Sequence, residues 1–248
     1  MLPISVFIIA KNEADRIAAT INSVKDWVDE IIVIDSGSSD DTVSIATFLG
    51  AKVLYNEWEG YGLQKQFAED ECSNNWLLNL DADEEVSPEL ATEIQALFAN
   101  GEPTESGYIL KVRDLLPNEK KLAWLAHTNC CLRLYNREKG RFSESTVHDS
   151  VILHTGKAEK LNAPVFHRSF RNIAHAIQKM NSYSTAQAED LKQKTIYMPK
   201  IRLIFEFPIS FFKAYILRLY ILRGMRGFTY SMSYAFGRMV RIAKYLEL

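Results

Sequence analysis

The stretch WLLNLDADEE (residues 76–85) decides the fold of this chain. Its first half is a short, mainly apolar run of the kind that forms a buried β-strand. Its second half places four carboxylates in five positions. Two unit charges about 4 Å apart repel by roughly 1 kcal/mol in water, and by more in less polar surroundings. Carboxylates this dense at a strand end need a bound cation, basic partners or full solvation.

The residues before this stretch alternate between predicted strands and predicted helices. Apolar runs indicate strands at 4–10, 30–35 and 51–56, and helical spacing indicates helices after each of them. Asn12 is a candidate cap for the first helix, and Asp40 or Asp41 for the second. Repeated strand–helix–strand units predict an α/β fold with a mainly parallel sheet and right-handed crossovers.

Polar side chains follow three of these strands. Ligands of such sheets bind outside the carboxyl ends of the strands, so these groups should line one crevice: Lys11, Asn12 and Glu13; Asp35; and Asp81 with Asp83. The first turn, AKNEAD, lacks the glycines of a dinucleotide-binding loop. Asp35 suits a hydrogen bond to a ribose or base, although a simple turn-forming role remains open.

The acidic cluster allows two interpretations. On extended backbone alternate side chains share a face, so Asp81 and Asp83 should point together, with Glu85 nearby. Oxygen ligands of this kind favour Mg²⁺ or Mn²⁺, with phosphate and water completing the coordination. The alternative is an acidic turn in front of the helix that begins at SPEL, where carboxylates meet the positive helix end.

Composition and the later residues set the outline of the molecule. The chain has 248 residues, 47% hydrophobic and 24% charged, with net charge −2, which argues against disorder and against nucleic-acid binding through bulk charge. Three cysteines without CxxC spacing suit reduced thiols, and the N-terminus shows no signal-peptide pattern. We predict a catalytic domain over 1–165, with a nucleotide-binding half (1–100) and an acceptor half (101–165), and a helical extension over 166–248.

Four segments in order carry a resemblance to a known family: FIIAKNEADRI, IIVIDSGSSDDT, GYGLQKQFA and WLLNLDADEEV. Together they resemble the family 2 inverting glycosyltransferases of GT-A fold. Within that family the chain looks most like bacterial enzymes that add glucose or a similar sugar to the lipopolysaccharide inner core. The similarity continues through RLYNREKGRFSESTVHDSV and KMNSYSTAQAEDL, so it covers nearly the whole chain.

The resemblance implies roles for the strand-end residues. Asp35 would contact the nucleobase, usually uracil in this family, beside Lys11, Asn12 and Glu13. Asp81 and Asp83 would form the DxD motif that holds Mn²⁺ or Mg²⁺ on the donor diphosphate, with Asp83 as the direct ligand. Gln64 and Lys65 would approach the nucleotide, although Lys65 also suits a solvated helix position.

Transfer of a sugar also needs a base that removes the proton of the acceptor hydroxyl. The segment FSESTVHDSV supplies three candidates, which we rank Asp149, then Glu144, with His148 as base, metal ligand or orienting group. Asp149 stands where relatives carry glutamate. Arg133 and Arg141 suit phosphate or an anionic acceptor, and equally a solvated surface.

The C-terminal segment 196–248 is apolar, aromatic and basic. It carries nine Lys and Arg against Glu206 and Glu247, a net charge of +7, which leaves −9 for the residues before it. Its uncharged runs are shorter than the roughly 20 residues of a spanning helix, and Pro208 should break a helix. This composition suits a segment lying in a membrane interface. Packing on the catalytic domain or a second subunit is the alternative.

These sequence features distinguish between three candidate functions. The first is a metal-dependent glycosyltransferase that moves a hexose, glucose by our prediction, from a UDP-sugar to a lipid-anchored saccharide at the inner face of the cytoplasmic membrane. A nucleotidyltransferase that makes sugar nucleotides would need a glycine-rich loop after the first strand, which AKNEADR does not supply. A non-catalytic nucleotide-binding, membrane-associated protein would not need the DAD motif or the acceptor-side acids.

Overall fold

The computed structural model describes residues 1–117, 119, 128–144 and 150–247. These residues divide into two compact units. The first consists of Met1–Arg113 and Thr128–His167, and the second of 114–127 and Arg168–Leu248.

Strands and helices alternate through the first unit. Its described strands are β1 (Leu2–Ala10), β2 (Val28–Asp35), β3 (Lys52–Tyr55), β4 (Trp76–Asp81), β5 (Glu84–Val86), β6 (Gly107–Asp114), β7 (Thr128–Asn136), β8 (Gly140–Phe142), β9 (Val151–Leu153) and β10 (Ala158–His167). Its described helices are α1 (Ile17–Asn22), α2 (Thr42–Phe48), α3 (Tyr61–Glu71) and α4 (Pro88–Leu97).

Eight of these strands form one sheet in the order β3-β2-β1-β4-β7-β6-β10-β5. The strands β3, β2, β1 and β4 are mutually parallel, β7 runs antiparallel to both β4 and β6, and β5 is antiparallel to β10. A separate small sheet joins β8 to β9. The predicted fold class, an α/β sheet flanked by helices, is confirmed. The sequence analysis did not predict β5 and β10.

The sheet is buried on both faces. Along β1, Ile4, Val6 and Ile8 pack into the core beneath α1, α2 and α4, while Phe7 and Ile9 pack into the core beneath α3. Successive side chains of a strand point to opposite faces, so a continuous apolar run is what a strand covered on both sides requires. This packing fixes the carboxyl ends of β1, β2 and β4.

The predicted helix caps have mixed outcomes. Asn12 does not cap α1, which begins five residues later with no side-chain cap. Asp40 bonds the first turn of α2, because its Oδ1 accepts a hydrogen bond from the Thr42 backbone N–H at 3.1 Å. The helix at SPEL is capped as its sequence indicates, with Ser87 Oγ accepting from Leu90 N at 3.1 Å.

The second unit is helical in its described residues: α5 (Ile173–Gln193), α6 (Arg202–Phe212), a π-helical turn (Lys213–Leu217), a 3-10 turn (Tyr220–Arg223) and α7 (Gly224–Glu247). This confirms the predicted helical C-terminal extension. Asn172 caps α5, and Lys244 of α7 reaches Asn181 and Ser184 of α5 at 2.8 and 2.9 Å. Within the described residues, no helix combines the length and apolar character needed to cross a bilayer.

The prediction that Pro208 breaks a helix is wrong. α6 continues through it. A proline inside a helix leaves the carbonyl four residues earlier without its usual donor. Here that residue is Ile204, which is exposed, so water can replace the lost hydrogen bond.

The three cysteines occupy different environments. Cys72 is buried, and its thiol donates to the Ala68 carbonyl at 3.1 Å. Burial, with the nearby charge of Glu30, raises the pKa of Cys72 to about 12. Cys130 is exposed on β7 and Cys131 is half-buried.

Candidate functional site

The predicted site residues lie at the carboxyl ends of three adjacent parallel strands. In the sheet register Ala10 of β1 is opposite Asp35 of β2, and Ile9 is opposite Asp81 of β4. Two steps of about 4.8 Å between strands separate Asp35 from Asp81, so their backbones lie about 10 Å apart. The structure therefore brings these strand-end groups to one edge of the sheet, as predicted.

Asp35 closes its own turn. Its Oδ2 accepts hydrogen bonds from the backbone N–H groups of Gly37 and Ser38, both at 2.9 Å, and the Ser38 hydroxyl donates to Oδ1. Gly37 has φ 85°, a conformation that glycine adopts without strain. A carboxylate has about four acceptor positions, so the turn leaves capacity for one donor from a ligand. Contact with a nucleobase remains a prediction.

The residues after β1 hold this same turn. Asn12 has φ 56°, and its Oδ1 accepts from Ser39 N at 2.8 Å while its backbone N–H donates to Ser38 Oγ at 2.8 Å. Asn12 thus ties the first strand end to the second instead of capping α1. Glu13 accepts from Arg16 Nε at 2.7 Å. Lys11 is exposed beside them.

Gln64 holds the ends of β2 and β3 together by hydrogen bonds. It is fully buried, and its Nε2 donates to Ser36 Oγ at 3.0 Å and to the Asn56 carbonyl at 3.2 Å. Its Oε1 accepts from Asn56 Nδ2 at 2.9 Å. Its amide is bonded to Ser36 and Asn56, which follow β2 and β3. The approach of Gln64 to a nucleotide stays a prediction.

Asp81 faces two buried cations. Lys65 Nζ lies 3.0 Å from its Oδ1, and Arg133 Nη2 lies 3.2 Å from its Oδ2. Burial alone would raise the pKa of Asp81, but Lys65 and Arg133 hold it far below its usual range. Lys65 is fully buried and Arg133 is 9% exposed. The alternative that either side chain is solvated is therefore wrong.

The same arginine joins a second carboxylate, Glu84, which is buried. Arg133 Nη2 lies 3.3 Å from Glu84 Oε1, and its Nη1 donates to Asn79. Glu84 Oε2 in turn accepts from the Asp81 backbone N–H at 2.9 Å. Burial raises the pKa of Glu84 although Arg133 opposes the rise. The network of Lys65, Asp81, Arg133 and Glu84 fixes the start of the acidic stretch.

Asp83 has different partners from Asp81. Its Oδ2 lies 3.2 Å from Arg16 Nη1, and its Oδ1 lies 3.5 Å from His167 Nε2. A turn separates β4 from β5 at this point, so the extended backbone assumed in the sequence analysis ends at Asp81. When protonated, His167 would also help to lower the pKa of Asp81 and would oppose the rise in the pKa of Glu84. His167 lies beside Asp83 and is paired with Glu84 in the sheet.

His167 is not among the site residues predicted from the sequence. It ends β10, which joins the sheet next to β5 through the pairing of His167 with Glu84. The sequence signal was weak: a single histidine in VFHRSF, far along the chain from the acidic stretch. Only the antiparallel return of β10 places it there.

The acceptor-side candidates are partly described. Glu144 is exposed just beyond β8. Asp149 and His148 lie outside the described residues, so their predicted roles stay predictions. Arg141 makes a bidentate pair with Asp70, at 2.8 Å for each bond, with the arginine 44% exposed.

Comparison with known proteins assigns the family. The model of glycosyl transferase family 2 matches residues 5–158, which contain every site residue described above except His167. The chain belongs to glycosyl transferase family 2. That assignment confirms the resemblance noted in the sequence and decides against the nucleotidyltransferase alternative.

Relatives of this family 2 chain span it almost completely. A glycosyltransferase of Rickettsia felis is 45% identical over 256 residues, covering 100% of this chain and 90% of the relative. The lipopolysaccharide core biosynthesis glycosyltransferase LpsC of Rhizobium meliloti is 30% identical over 249 residues, covering 98% and 92%.

A partial similarity to a solved structure also exists. Glucosyl-3-phosphoglycerate synthase from Mycobacterium tuberculosis, in complex with Mn²⁺, uridine diphosphate and glucosyl-3-phosphoglycerate, is 26% identical with a TM-score of 0.36. The match covers 46% of this chain and 44% of the synthase. A likeness this partial transfers neither ligand nor mechanism to the family 2 chain.

The family 2 site fits a divalent cation only in part. No group of three or more His, Cys, Asp or Glu within the described residues is arranged to hold a metal. A cation that bridges phosphates needs only one or two carboxylates, because phosphate oxygens and water fill the other positions. Asp83 beside His167 suits that arrangement. Asp81 is already neutralised by Lys65 and Arg133.

Proposed function

We propose that this chain is an inverting glycosyltransferase that moves a hexose, glucose in our proposal, from a UDP-sugar to a lipid-anchored saccharide such as lipopolysaccharide core. The observation that carries the proposal is the strand-end cluster of a family 2 chain. Asp83 lies against His167, and Asp81 is held by two buried cations, with Asp35 two strands away.

The donor nucleotide would lie across the strand ends. Asp35 would accept a hydrogen bond from the base, and Lys11, Asn12 and Glu13 would lie beside the base and ribose. The diphosphate would then extend toward β4, where Lys65 and Arg133 offset the charge of Asp81. Without these cations, carboxylate and diphosphate would repel each other.

Asp83 and His167 would hold Mn²⁺ or Mg²⁺. Carboxylate oxygen suits both ions, whereas the neutral imidazole of His167 suits Mn²⁺ better than Mg²⁺, which prefers oxygen ligands. When bound, such an ion acts as a Lewis acid that stabilises the charge of the departing diphosphate. Arg16 Nη1 lies 3.2 Å from Asp83 Oδ2 and holds the carboxylate in place, while the other oxygen, Oδ1, faces His167.

The sugar would transfer in one displacement. The acceptor oxygen bonds to the anomeric carbon as the bond from that carbon to the phosphate oxygen breaks, and the nucleoside diphosphate leaves. The proton of the acceptor hydroxyl passes to a carboxylate, with Asp149 proposed first and Glu144 second, and His148 orienting it. Attack opposite the leaving group inverts the anomeric centre, so no covalent enzyme intermediate is needed.

The acceptor class follows from the relatives and the tail. LpsC, whose name assigns it to lipopolysaccharide core biosynthesis, aligns with 98% of this chain. A lipid-anchored acceptor also suits the basic, aromatic segment 196–248. Both observations support the proposal that the protein lies peripherally on the inner face of the bacterial cytoplasmic membrane.

Calorimetry tests the donor half of this proposal. UDP, GDP and CMP are titrated with and without Mn²⁺ into the wild type, Asp83→Ala and the control Glu89→Ala, which removes an exposed carboxylate from α4. We expect UDP to bind in the presence of Mn²⁺, Asp83→Ala to lose at least tenfold in affinity, and the control to match wild type. Equal affinity of Asp83→Ala and wild type would disprove the metal assignment.

Turnover tests the acceptor half. UDP-glucose and truncated lipopolysaccharide core are incubated with the wild type, and the product linkage is read by NMR. A new β-linked glucose supports the proposal. Tight metal-dependent UDP binding without transfer to any lipid-linked saccharide would favour the non-catalytic alternative.

A further inference from the structure

Three arginines of the second unit surround one buried carboxylate. Glu206 of α6 accepts from Arg202 Nε at 2.9 Å and from Arg238 Nε of α7 at 2.9 Å, and Arg241 Nη2 lies 3.6 Å away. The Glu206 side chain is only 8% exposed. Three guanidinium groups around one carboxylate leave two positive charges uncompensated, and arginine does not lose its proton at neutral pH.

Arg241 is the least fully paired arginine of this cluster, because its one contact with Glu206 is the 3.6 Å approach of Nη2. It is 9% exposed, and among the described residues its buried Nε has no hydrogen-bond partner. Burial, together with the like charge of Arg238, lowers the pKa of Arg241 although Glu206 opposes the shift. Buried N–H donors are nearly always paired in native proteins. An unpaired donor in a cluster with excess positive charge indicates that an anion completes it.

An exposed apolar stripe runs along the helix that carries Glu206. Five large apolar side chains are exposed along α6, the residue before it and the π-helical turn after it. They are three or four residues apart, a spacing that places side chains on one side of a helix. They are Ile201, Phe205, Ile209, Phe212 and Ile216, each between 37% and 63% exposed. A second stripe on α7 exposes Met225, Phe228, Met232 and Phe236.

The charges around the stripes have one sign. Lys200, Lys213 and Arg226 are exposed. The acids of residues 196–247 are Glu206, which the arginines bury, and Glu247 at the end of α7. An apolar surface bordered by positive charge is complementary to an anionic bilayer, whose phosphates lie just outside its acyl chains. A second copy of this chain would present the same positive border and be repelled.

We propose that α6 and α7 bind the phosphate of an anionic phospholipid, with Arg202, Arg238 and Arg241 at the phosphate and the stripe of α6 in the acyl region. Guanidinium matches the geometry of phosphate oxygens and binds them by charge-assisted hydrogen bonds. Arg202 and Arg238 meet Glu206 through Nε and remain 39% and 33% exposed. This inference rests on the proposed membrane contact of 196–248 and not on transferase activity.

Vesicle binding of the full chain tests the site. Vesicles of phosphatidylcholine alone, or mixed with phosphatidylglycerol, are sedimented with the wild type, with Arg202→Gln/Arg238→Gln and with the charge-matched control Lys157→Gln/Lys160→Gln in the first unit. We expect wild type to prefer the phosphatidylglycerol vesicles. Each basic group near the surface contributes about fivefold to vesicle affinity, so the arginine pair should lose roughly 30-fold. The control should stay within about threefold of wild type.

Several results would overturn the site. The first is wild-type affinity of the glutamine pair for phosphatidylglycerol vesicles. Another is a pair of results: inorganic phosphate raises the melting temperature, and the protein binds both types of vesicle equally. That outcome would make the cluster a site for free anions and not for a phospholipid. If the glutamine pair has a lower melting temperature than wild type, Arg202→Lys/Arg238→Lys is assayed in its place. Lysine keeps the positive charge but lacks the planar guanidinium. Weaker vesicle binding by that pair supports the site, and binding equal to wild type refutes it.

No sugar donor is present in these assays. Loss of vesicle binding therefore reports on the lipid site alone, and the calorimetric and turnover measurements report on the transferase proposal alone.

Discussion

Two carboxylates of the first unit, half-buried Asp81 and buried Glu69, show how their neighbours decide a pKa. Asp81 has Lys65 and Arg133 against it and stays ionised. Glu69 of α3 accepts from the Tyr135 hydroxyl and from Phe142 N, but its Oε2 is buried and has no hydrogen-bond partner in the described structure. Burial therefore prevails and raises the pKa of Glu69 above 4.5, although those hydrogen bonds and Arg141 oppose it.

Glu69→Gln should change how stability depends on pH. The folded state holds the Glu69 proton more tightly than the unfolded chain, so this residue's contribution to stability is full below pH 4.5 and is lost as pH rises through the folded pKa. Glutamine keeps an oxygen acceptor and has no charge to lose. Urea unfolding should show the variant gaining stability relative to wild type as the pH rises from 4.5 to 8.

The control for that experiment is Glu71→Gln, which removes a more exposed carboxylate from the same helix. Its stability should follow the wild-type pH profile. Parallel profiles for wild type and Glu69→Gln would show that Glu69 is not buried as described.

The proposed general base leads to a prediction about turnover. Asp149→Asn should lower kcat by roughly 10² to 10⁴-fold and leave UDP affinity unchanged, because the base acts on the acceptor hydroxyl and not on the nucleotide. Steady-state kinetics beside calorimetry separate the two effects. The reverse pattern, with Glu144→Gln inactive and Asp149→Asn active, would assign the base to Glu144.

Sequence reasoning located part of the site because some of its signals are local. Asp35, Asp81 and Asp83 follow apolar runs, and parallel strands bring those ends together. The partners of the acids were not predictable in the same way. Arg133 reaches Asp81 from β7 and His167 reaches Asp83 from β10, so each contact depends on pairing between strands far apart in the chain.

At the scale of elements, the errors arose where context overrides a residue's usual preference. Asn12 is a good helix cap by type, but here its side chain bonds Ser39 across two strand ends. Pro208 disfavours a helix interior, yet α6 continues where the freed carbonyl is at the surface. Helix α3 was predicted with its observed bounds, Tyr61–Glu71, because Gly60 and the end of its polar run delimit it.

The start of α7 depends on a glycine. A Cβ added to Gly227 would lie 1.8 Å from the Tyr220 carbonyl oxygen, so the backbone would have to move. Gly227→Ala should therefore lower the free energy of unfolding by about 2 kcal/mol. Thermal and urea unfolding measure the change.

Gly237→Ala in the same helix is the matched comparison. There the added Cβ would lie 2.3 Å from Met180 Cγ and 2.7 Å from its sulfur, so the methionine must change rotamer but the backbone need not move. Alanine also favours the helix by up to about 1 kcal/mol, so this variant should lose less stability than Gly227→Ala. Equal losses for the two variants would contradict the backbone contact at Gly227.

At the scale of the whole molecule, charge and exposed apolar area are distributed unevenly. The chain is nearly neutral, but residues 196–248 are strongly basic. Much of the exposed large apolar surface is in the same segment, including Ile204, Phe205 and Ile209. Exposed apolar patches of this kind mark interaction surfaces.

The membrane proposal predicts the effect of charges placed in the stripe. Ile209→Asp/Phe212→Asp should shift the protein from the membrane fraction to the soluble fraction of cell extracts, because buried charge is costly among acyl chains. Both positions are exposed, so the melting temperature should change little. Val43→Asp/Phe48→Asp, at exposed apolar positions of the first unit, should stay in the membrane fraction. Unaltered fractionation of the stripe variant would contradict the proposal.

The contrast between Cys72 and Cys130 gives the chain a built-in reporter of unfolding. Maleimides react with thiolates, and a thiol with a pKa of about 12 has almost none at neutral pH. A dye added to the folded protein should therefore label exposed Cys130 and spare Cys72. As urea opens the first unit, Cys72 becomes reactive. Peptide mapping separates its adduct from that of half-buried Cys131, so labelling of Cys72 reports the loss of that core without any engineered probe.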